Sequence, residues 1–136
     1  MIDCIFCKII NGEIPSNKIY EDEHSFAFLD IDPVNIGHTL VIPKEHFATI
    51  DKMDKLELDK LSEAILKISK GIMNVADGLN IQQNNKEVAG QLVPHVHFHL
   101  IPRYNGDGYK FNWKKDEKVT EEENKEFLGK MQKFLK

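Results

Sequence analysis

Residues 94–102 form the stretch Pro94-His95-Val96-His97-Phe98-His99-Leu100-Ile101-Pro102, in which histidine alternates with apolar residues. A β-strand turns successive side chains to opposite faces, so this pattern predicts three imidazoles on one face and an apolar row on the other. Neighbouring imidazoles repel one another when protonated, so a fold that presents them together must hold most of them neutral. We therefore interpret the stretch as a functional site on a strand.

Two chemistries fit three imidazoles on one face. They can bind a metal ion, as in zinc hydrolases, or one neutral imidazole can act as a nucleophile. The second role needs one ring nitrogen to hold its proton against a fixed acceptor while the other presents a lone pair. The flanked middle residue, His97, is best placed for this role. An imidazole nitrogen attacks phosphorus well and leaves well, so it can divide a nucleotidyl transfer into two easier steps.

Phosphate oxygens need hydrogen-bond donors, and Ala89-Gly90-Gln91 lies just before the histidine strand. A glycine lets backbone N–H groups come close to a ligand, although a single glycine is a weak signal. The sequence contains neither G-x-x-x-x-G-K-[ST] nor G-x-G-x-x-G, so it supports neither a P-loop nor a dinucleotide-binding fold.

The two cysteines form a C-x-x-C pair, Cys4-Ile5-Phe6-Cys7. They are too few for a disulfide scaffold, and the first residues lack a basic segment followed by an apolar one, so we expect no signal peptide and a cytoplasmic location. In a reducing compartment the two cysteines either supply two ligands of a metal site or are simply small buried residues. The pair alone does not favour either interpretation. A thioredoxin-like motif ranks lower because no strand precedes it.

Composition limits both the fold and the partners. A chain of 136 residues with 41% hydrophobic and 29% charged residues fits a single globular domain, residues 1–136, with its own core. The net charge of -4 argues against a nucleic-acid polymer as partner. No apolar run approaches the roughly 20 residues that cross a membrane.

Segregated helix and strand patterns predict an α+β fold with a mainly antiparallel sheet. Asp54 and Glu57 resemble a capping box before the longest helix, and Thr120 and Glu123 form another before the last one. Asp3 is the expected cap of a short first helix. The predicted helices are 3–10, 55–77 and one from Glu121, and the predicted strands are 18–21, 25–31, 39–42, 79–83 and 92–101.

Together these segments resemble the histidine-triad (HIT) superfamily, and especially bacterial proteins of its Hint branch. Residues 95–101 match the triad signature, and the similarity covers a motif-bearing core, residues 3–103, whereas the tail 104–136 matches loosely. The resemblance implies a HIT-like antiparallel sheet with one long central helix and terminal helices. The other similar segments are Cys4-Ile5-Phe6-Cys7-Lys8-Ile9-Ile10, Gly12-Glu13-Ile14-Pro15, Phe28-Leu29-Asp30-Ile31, Gly37-His38-Thr39-Leu40-Val41-Ile42-Pro43-Lys44 and Ala89-Gly90-Gln91.

The resemblance implies a nucleotide hydrolase or transferase that cleaves at the α-phosphate of nucleoside 5'-monophosphate derivatives, typically adenosine phosphoramidates. His97 would be the nucleophile that forms a nucleotidyl-histidine intermediate, His95, His99 and His38 would complete the catalytic set, and Asp30 would bind the ribose of a purine nucleotide. The other implied nucleotide-binding residues are Ile5, Phe6, Ile9, Ile14, Phe28 and Ile31 around the base and Asn84, Gly90 and Gln91 near the phosphate. Hydrolysis of dinucleoside polyphosphates and nucleotide binding without catalysis are the alternatives.

The same resemblance implies a structural zinc ion and a homodimer. In some related proteins a C-x-x-C pair joins two histidines to hold zinc, and the matching residues here are Cys4, Cys7, His46 and His95. Two thiolates and two imidazoles complete a tetrahedral site of the structural type. The nucleophile, His97, would then carry no metal.

Two residues depart from the family pattern. Leu92 occupies a position where a hydroxyl residue is usual, and an apolar side chain cannot donate to a phosphate or a leaving group. Pro94 replaces a residue that is often aromatic, and it removes one N–H from the predicted strand. His24 has no matching role in the family, and we interpret it as an exposed turn residue.

Overall fold

The described residues form five antiparallel strands and three α-helices, which confirms the α+β class. The computed structural model describes residues 3–110, 113–114 and 116–135. The strands are β1 (Lys18–Glu21), β2 (Ser25–Leu29), β3 (Thr39–Pro43), β4 (Gly78–Gln83) and β5 (Phe98–Arg103), and the helices are α1 (Ile5–Ile10), α2 (Lys55–Met73) and α3 (Glu121–Phe134). Short 3₁₀ turns occur at Ile50–Lys52 and Glu87–Ala89.

The strand order places the histidine strand inside the sheet. The sheet runs β1-β2-β3-β5-β4, so β5 lies between β3 and β4 although it comes last in the sequence. In this register His99 lies opposite Leu40 on β3 and opposite Gln82 on β4. Backbone hydrogen bonds on both sides therefore fix the position from which His99 projects.

Each face of the sheet is covered by a different helix. Leu61 and Ile68 of α2 join a core with Val41, Val96 and Leu100 on one face. Burial of such large apolar side chains stabilises the fold by about 1.5–3 kcal/mol each. The other face packs against α1, where Phe6 joins a second core with Phe26, Phe28, Leu40 and Ile42. The histidines project toward this second face, beside α1.

The histidine strand begins later than predicted. Regular pairing of β5 starts at Phe98 rather than at Leu92. Pro94 has no N–H to donate, and the Val96 N–H donates to the Phe47 carbonyl at 2.7 Å instead of to a neighbouring strand. The alternation of side chains is nevertheless as predicted, because Val96 enters the α2 core while the His97 and His99 rings lie 5.0 Å apart on the opposite face.

The predicted cap of the first helix is wrong. The N-cap of α1 is Cys4, whose Sγ accepts the Cys7 N–H at 3.3 Å. Asp3 instead pairs with Lys8 at 3.0 Å on the surface. A cysteine that caps the helix holds its sulfur at a fixed position beside Cys7, which matters for the cluster described below.

Two other element ends differ from the predictions. Helix α2 ends at Met73, where Asn74 caps it and its Nδ2 donates to the Lys70 carbonyl at 2.9 Å. Strand β2 ends at Leu29, and Ile31 is 84% exposed. Both predictions extended an apolar pattern into a turn, because periodicity alone does not mark the end of an element.

The last helix forms as predicted, but the body of the protein does not bury it. Both hydrogen bonds of the Thr120–Glu123 capping box are present. Several large apolar side chains of α3, including Phe127, Leu128 and Phe134, are exposed.

No helix among the described residues is long and apolar enough to span a bilayer.

His24 is not the exposed turn residue that the sequence suggested. Its side chain is half-buried, and its Nδ1 lies 3.3 Å from the Glu57 carboxylate in the first turn of α2. The residue therefore links the β1–β2 turn to α2, and it lies outside the cavity described next.

Candidate active site

A cavity of about 520 Å³ opens between α1 and the histidine face of the sheet. Its volume is within the range of small-molecule sites. Most of the expected site residues line it: Ile5, Phe6, Ile9, Ile14, Phe28, Asp30, Ile31, His38, Asn84, Gly90, His97 and His99. His95 and Gln91 do not line the cavity, because their side chains are buried behind it.

The α1 side of the cavity is apolar. The Phe6 ring meets Phe28 edge-on with 5.6 Å between centroids and meets His97 with 5.1 Å between centroids. Ile9 and Ile14 extend this apolar wall. Such a surface suits a flat heterocycle, because aromatic and aliphatic groups bury its faces without competing for its polar edge.

His97 is held in one tautomer by its own strand. It is 5% exposed, and its Nδ1 lies 2.7 Å from the His95 carbonyl oxygen. A carbonyl can only accept, so Nδ1 carries the proton and Nε2 keeps its lone pair. Burial lowers the pKa of His97, which keeps the ring neutral near pH 7. The lone pair of Nε2 is therefore available for bonding to a ligand.

His38 and His99 form a chain of hydrogen bonds beside His97. The Val34 N–H donates to His38 Nδ1 at 3.1 Å, so the proton of neutral His38 must be on Nε2. That nitrogen lies 2.9 Å from His99 Nδ1, which accepts, and the proton of His99 is therefore on its Nε2. Burial, and to a smaller extent the neighbouring His97 and His38, lower the pKa of His99 to about 4. His99 thus offers an N–H donor to the cavity.

The position of His38 depends on the glycine before it. Gly37 has a φ of 85°, in the left-handed region, and a Cβ at this position would lie 3.1 Å from Pro102 Cγ. Asp30 approaches the other side of His38, with Oδ2 3.6 Å from Nε2. Its carboxylate also lines the cavity, where it can accept hydrogen bonds from ligand hydroxyls.

Asn84 and Gly90 form the wall of the cavity near the end of β4. Gln82 Nε2 donates to Asn84 Oδ1 at 3.2 Å, which leaves the Asn84 amide nitrogen facing Gly90. The Gly90 N–H donates to the Glu87 carbonyl at 2.9 Å inside its own turn. Gly90 therefore provides room for a close approach, whereas Asn84 provides the donor.

Two thiols and two imidazoles meet behind the cavity. His95 Nδ1 lies 3.3 Å from Cys4 Sγ, 3.6 Å from Cys7 Sγ and 3.1 Å from His46 Nδ1, and Cys7 Sγ lies 3.5 Å from His46 Nδ1. A tetrahedron with zinc–sulfur and zinc–nitrogen bonds of about 2.3 and 2.0 Å has edges of about 3.5 Å. The four ligand atoms thus have the spacing of a closed tetrahedral metal site.

The hydrogen bonds around this cluster also suit a metal. His95 Nε2 lies 2.8 Å from the Pro43 carbonyl, so Nε2 carries the proton and Nδ1 turns its lone pair to the sulfurs. Burial and the neighbouring Cys4 raise the pKa of the Cys7 thiol to about 11. A cation is therefore required for the Cys7 sulfur to be a thiolate at neutral pH. The donor set fits zinc.

A second group of possible ligands, Asp30, His38 and His99, is less suitable for a metal. His38 Nδ1 accepts from the Val34 N–H, so an ion on Nε2 would require an imidazolate or the loss of that hydrogen bond. Metal-binding histidines normally donate from the nitrogen that does not bind the ion. The geometry therefore argues against a zinc hydrolase in which this group holds a catalytic ion.

Sequence reasoning missed several residues that line the cavity. Val34, Gln82, Ile101 and Tyr109 all contribute to its walls. Leu92, which the sequence analysis did name, also lines the cavity and is 90% exposed. The sequence could have predicted that Gln82 lines the cavity, because Gln82 lies on the same face of β4 as Asn84. Tyr109 had no comparable signal, since its position follows from hydrogen bonds between Arg103, Asp107 and the turn after β5.

Comparison with known proteins finds one family. The model of the HIT domain family matches residues 11–106. An uncharacterized HIT-like protein of Methanocaldococcus jannaschii is 57% identical over 106 residues, which are 77% of this chain and 82% of that protein. An adenosine 5'-monophosphoramidase of Schizosaccharomyces pombe is 42% identical over 113 residues, covering 82% and 84% of the two chains. The crystal structure of a HIT family protein from Bacillus subtilis superposes with a TM-score of 0.89 at 43% identity and 99% coverage of both chains.

The low pKa of His99 makes stability depend on pH. The pKa is about 4 in the fold and about 6.5 in an unfolded chain, so the unfolded state binds the proton first as the pH falls. The associated stability is complete above about pH 6.5 and is lost as the pH falls to 4. We expect His99→Asn to reduce the stability lost between pH 7.5 and 5 by about 1–2 kcal/mol, as measured by urea unfolding.

The other ionisable groups that face His99 are His38, His97 and Asp30, and they are present in both proteins. The difference between the two pH curves therefore isolates His99. Parallel curves for the wild type and His99→Asn would contradict a neutral, partly buried His99.

Proposed function

Because the chain belongs to the HIT domain family, we propose that this nucleotide hydrolase cleaves phosphoramidate derivatives of adenosine 5'-monophosphate through a covalent bond between His97 and the α-phosphorus. The observation that carries the proposal is the 2.7 Å contact between His97 Nδ1 and the His95 carbonyl, which leaves the Nε2 lone pair free. The adenosine 5'-monophosphoramidases among the relatives, about 40% identical, support the substrate class.

In this proposal each part of such a nucleotide has its own place in the cavity. The base lies against Phe6, Ile9 and Phe28, the apolar side of the cavity. The ribose hydroxyls donate to Asp30, whose carboxylate is an acceptor only. This arrangement brings the phosphate to His97, where Asn84 Nδ2 and His99 Nε2–H donate to its oxygens. Fixed, preorganised donors favour the charge that develops on the phosphoryl group during transfer.

The reaction proceeds in two displacements. First, His97 Nε2 forms a bond to the α-phosphorus while the bond from phosphorus to the leaving nitrogen breaks. The leaving amine takes its proton from solvent at the mouth of the cavity, because Leu92 has no group that could donate. Water then attacks the same phosphorus, the bond from phosphorus to His97 breaks, and one proton of the water passes to solvent. The products are AMP and the free amine.

Replacement of His97 tests this role. We expect His97→Asn to lower the turnover of adenosine 5'-phosphoramidate by about 10³-fold or more while AMP still binds, because asparagine cannot form the covalent intermediate. Turnover is followed by AMP release and binding by calorimetry. His24→Asn, outside the cavity, is the matched control and keeps wild-type turnover.

Retained turnover in a folded His97→Asn protein would eliminate His97 as nucleophile. A wild type that binds AMP but cleaves no nucleotidyl substrate would favour a non-catalytic nucleotide-binding protein. Preferential cleavage of a dinucleoside polyphosphate would identify the other hydrolase alternative.

We further propose that Cys4, Cys7, His46 and His95 hold one structural zinc ion. When bound, the ion cross-links α1 to the segment before β5 and has no part in the chemistry. The support is the tetrahedral spacing of the ligand atoms and the Pro43 carbonyl behind His95. Both cysteines are free thiols, and they must remain reduced to bind zinc, which agrees with a cytoplasmic location.

Metal analysis tests the zinc site. We expect about one zinc per chain, and we expect Cys7→Ser to lose the ion and to lower the denaturant midpoint of unfolding, because binding energy of the metal contributes to folding energy. Lys8→Ala on the same helix keeps the metal and serves as control. A metal-free wild type whose stability chelators do not change would refute the site.

We also propose a homodimer. Strand β4 is an edge of the sheet, so its outer hydrogen-bonding groups can pair with another strand. Ile81 on this edge is 52% exposed, and Met73 and Val75 just before it are 54% and 78% exposed. We expect light scattering to give twice the chain mass for the wild type and the chain mass for Ile81→Lys, whereas a monomeric wild type would contradict the proposal.

A further inference from the structure

The loop after β4 contains a strained backbone next to the cavity. Lys86 has φ 70° and ψ 159°, a region that glycine adopts readily and other residues rarely adopt. Lys86 is the only non-glycine residue with positive φ in the described part of the chain. A 3₁₀ turn at Glu87–Ala89 and Gly90 at φ 93° follow it and return the chain to the cavity wall. Something must hold Lys86 in this conformation.

The side chain of Gln91 provides that restraint. Gln91 is 6% exposed, and its Oε1 accepts the Lys86 N–H at 2.6 Å. The Gln91 N–H in turn donates to the Lys86 carbonyl at 3.1 Å, so the two residues close the loop reciprocally. Gln91 Nε2 donates to the Ala48 carbonyl at 2.7 Å, which attaches the closed loop to the segment before the first 3₁₀ turn.

A second amide anchors the start of the same loop. Asn85 Oδ1 accepts the Ile50 N–H at 2.8 Å, two residues beyond the anchor of Gln91. Both ends of the loop are therefore fixed to residues 48–50. Between these anchors, Gly90 lies against Asn84, since a Cβ on Gly90 would be 3.5 Å from Asn84 Nδ2. The two residues that line the phosphate end of the cavity thus depend on the anchored loop.

We propose that Gln91 is a positioning residue for the phosphate: its buried amide fixes the strained Lys86 backbone and so keeps Gly90 against the Asn84 donor. The inference rests on the proposed function, because it takes the Asn84 end of the cavity as the place of the phosphate. Gln91 touches no ligand in this role. A buried glutamine with all of its polar side-chain atoms bonded to backbone is well suited to it.

The test compares ligands with and without a phosphate. Gln91→Met has similar length but neither donates nor accepts strongly, and we expect it to weaken AMP binding about tenfold while adenosine binding changes less than about twofold. The KM for adenosine 5'-phosphoramidate rises to a similar extent and kcat changes less. Val88→Ala, at a position that is 99% exposed in the same loop, is the control and binds AMP like the wild type.

Two double variants separate positioning from a general loss of structure. Glycine adopts the Lys86 conformation without strain, so we expect Lys86→Gly to restore part of the AMP affinity in the Gln91→Met protein. Lys86→Ala removes the same charge but keeps the strain, and it restores none. Gln91→Glu retains the acceptor for the Lys86 N–H and loses the donor to Ala48, so its AMP affinity lies between those of the wild type and Gln91→Met.

The outcomes are distinct for the two proposals. A wild type that neither binds AMP nor turns over the phosphoramidate refutes the proposed function. A functional wild type whose Gln91 variants bind AMP unchanged, or lose AMP and adenosine equally, overturns the role of Gln91. If Gln91→Met does not fold, the same comparison is made with Gln91→Glu, and equal losses of both ligands overturn it there as well.

Discussion

The hydrogen bond from His97 Nδ1 to the carbonyl of His95 is the interaction on which the rest of the site depends. It fixes the proton on one nitrogen of a buried, neutral ring and so defines the chemistry of the other nitrogen. His95 is itself held by its Nε2 donation to the Pro43 carbonyl and by its place among Cys4, Cys7 and His46. One residue therefore connects the thiol–imidazole cluster to His97, the proposed nucleophile, through a single backbone carbonyl.

Helix α1 serves both parts of this arrangement. Cys4 caps it and, with Cys7, supplies two of the four side chains of the thiol–imidazole cluster, while Phe6 contacts His95, His97 and Phe28. The same short helix thus forms the apolar wall of the cavity and shields the two histidines from water. Low solvent exposure lowers the pKa of these imidazoles and keeps them neutral, so the packing of Phe6 also affects their protonation state.

The sequence predicted the features that follow from the spacing of residue types along the chain. The alternation of histidine and apolar residues around His97 identified the two faces of the strand. The C-x-x-C pair, together with the family resemblance, predicted that His46 and His95 lie beside the two cysteines. The sequence could not show that strand β5 would begin only at Phe98 or that the thiol of Cys4 would cap α1. Both features depend on how the folded chain places the groups around them. Gln91 was expected near the phosphate, and only the folded loop reveals that its amide turns toward Lys86 and Ala48.

The position of the proton on the His97 ring can be measured by NMR. In a ¹⁵N–¹H correlation spectrum of the imidazole rings at neutral pH, we expect the proton of His97 on Nδ1 and the chemical shift of an unprotonated nitrogen at Nε2. A proton on Nε2, or a ring that is doubly protonated at that pH, would contradict it, because no lone pair would then be available for bonding to phosphorus.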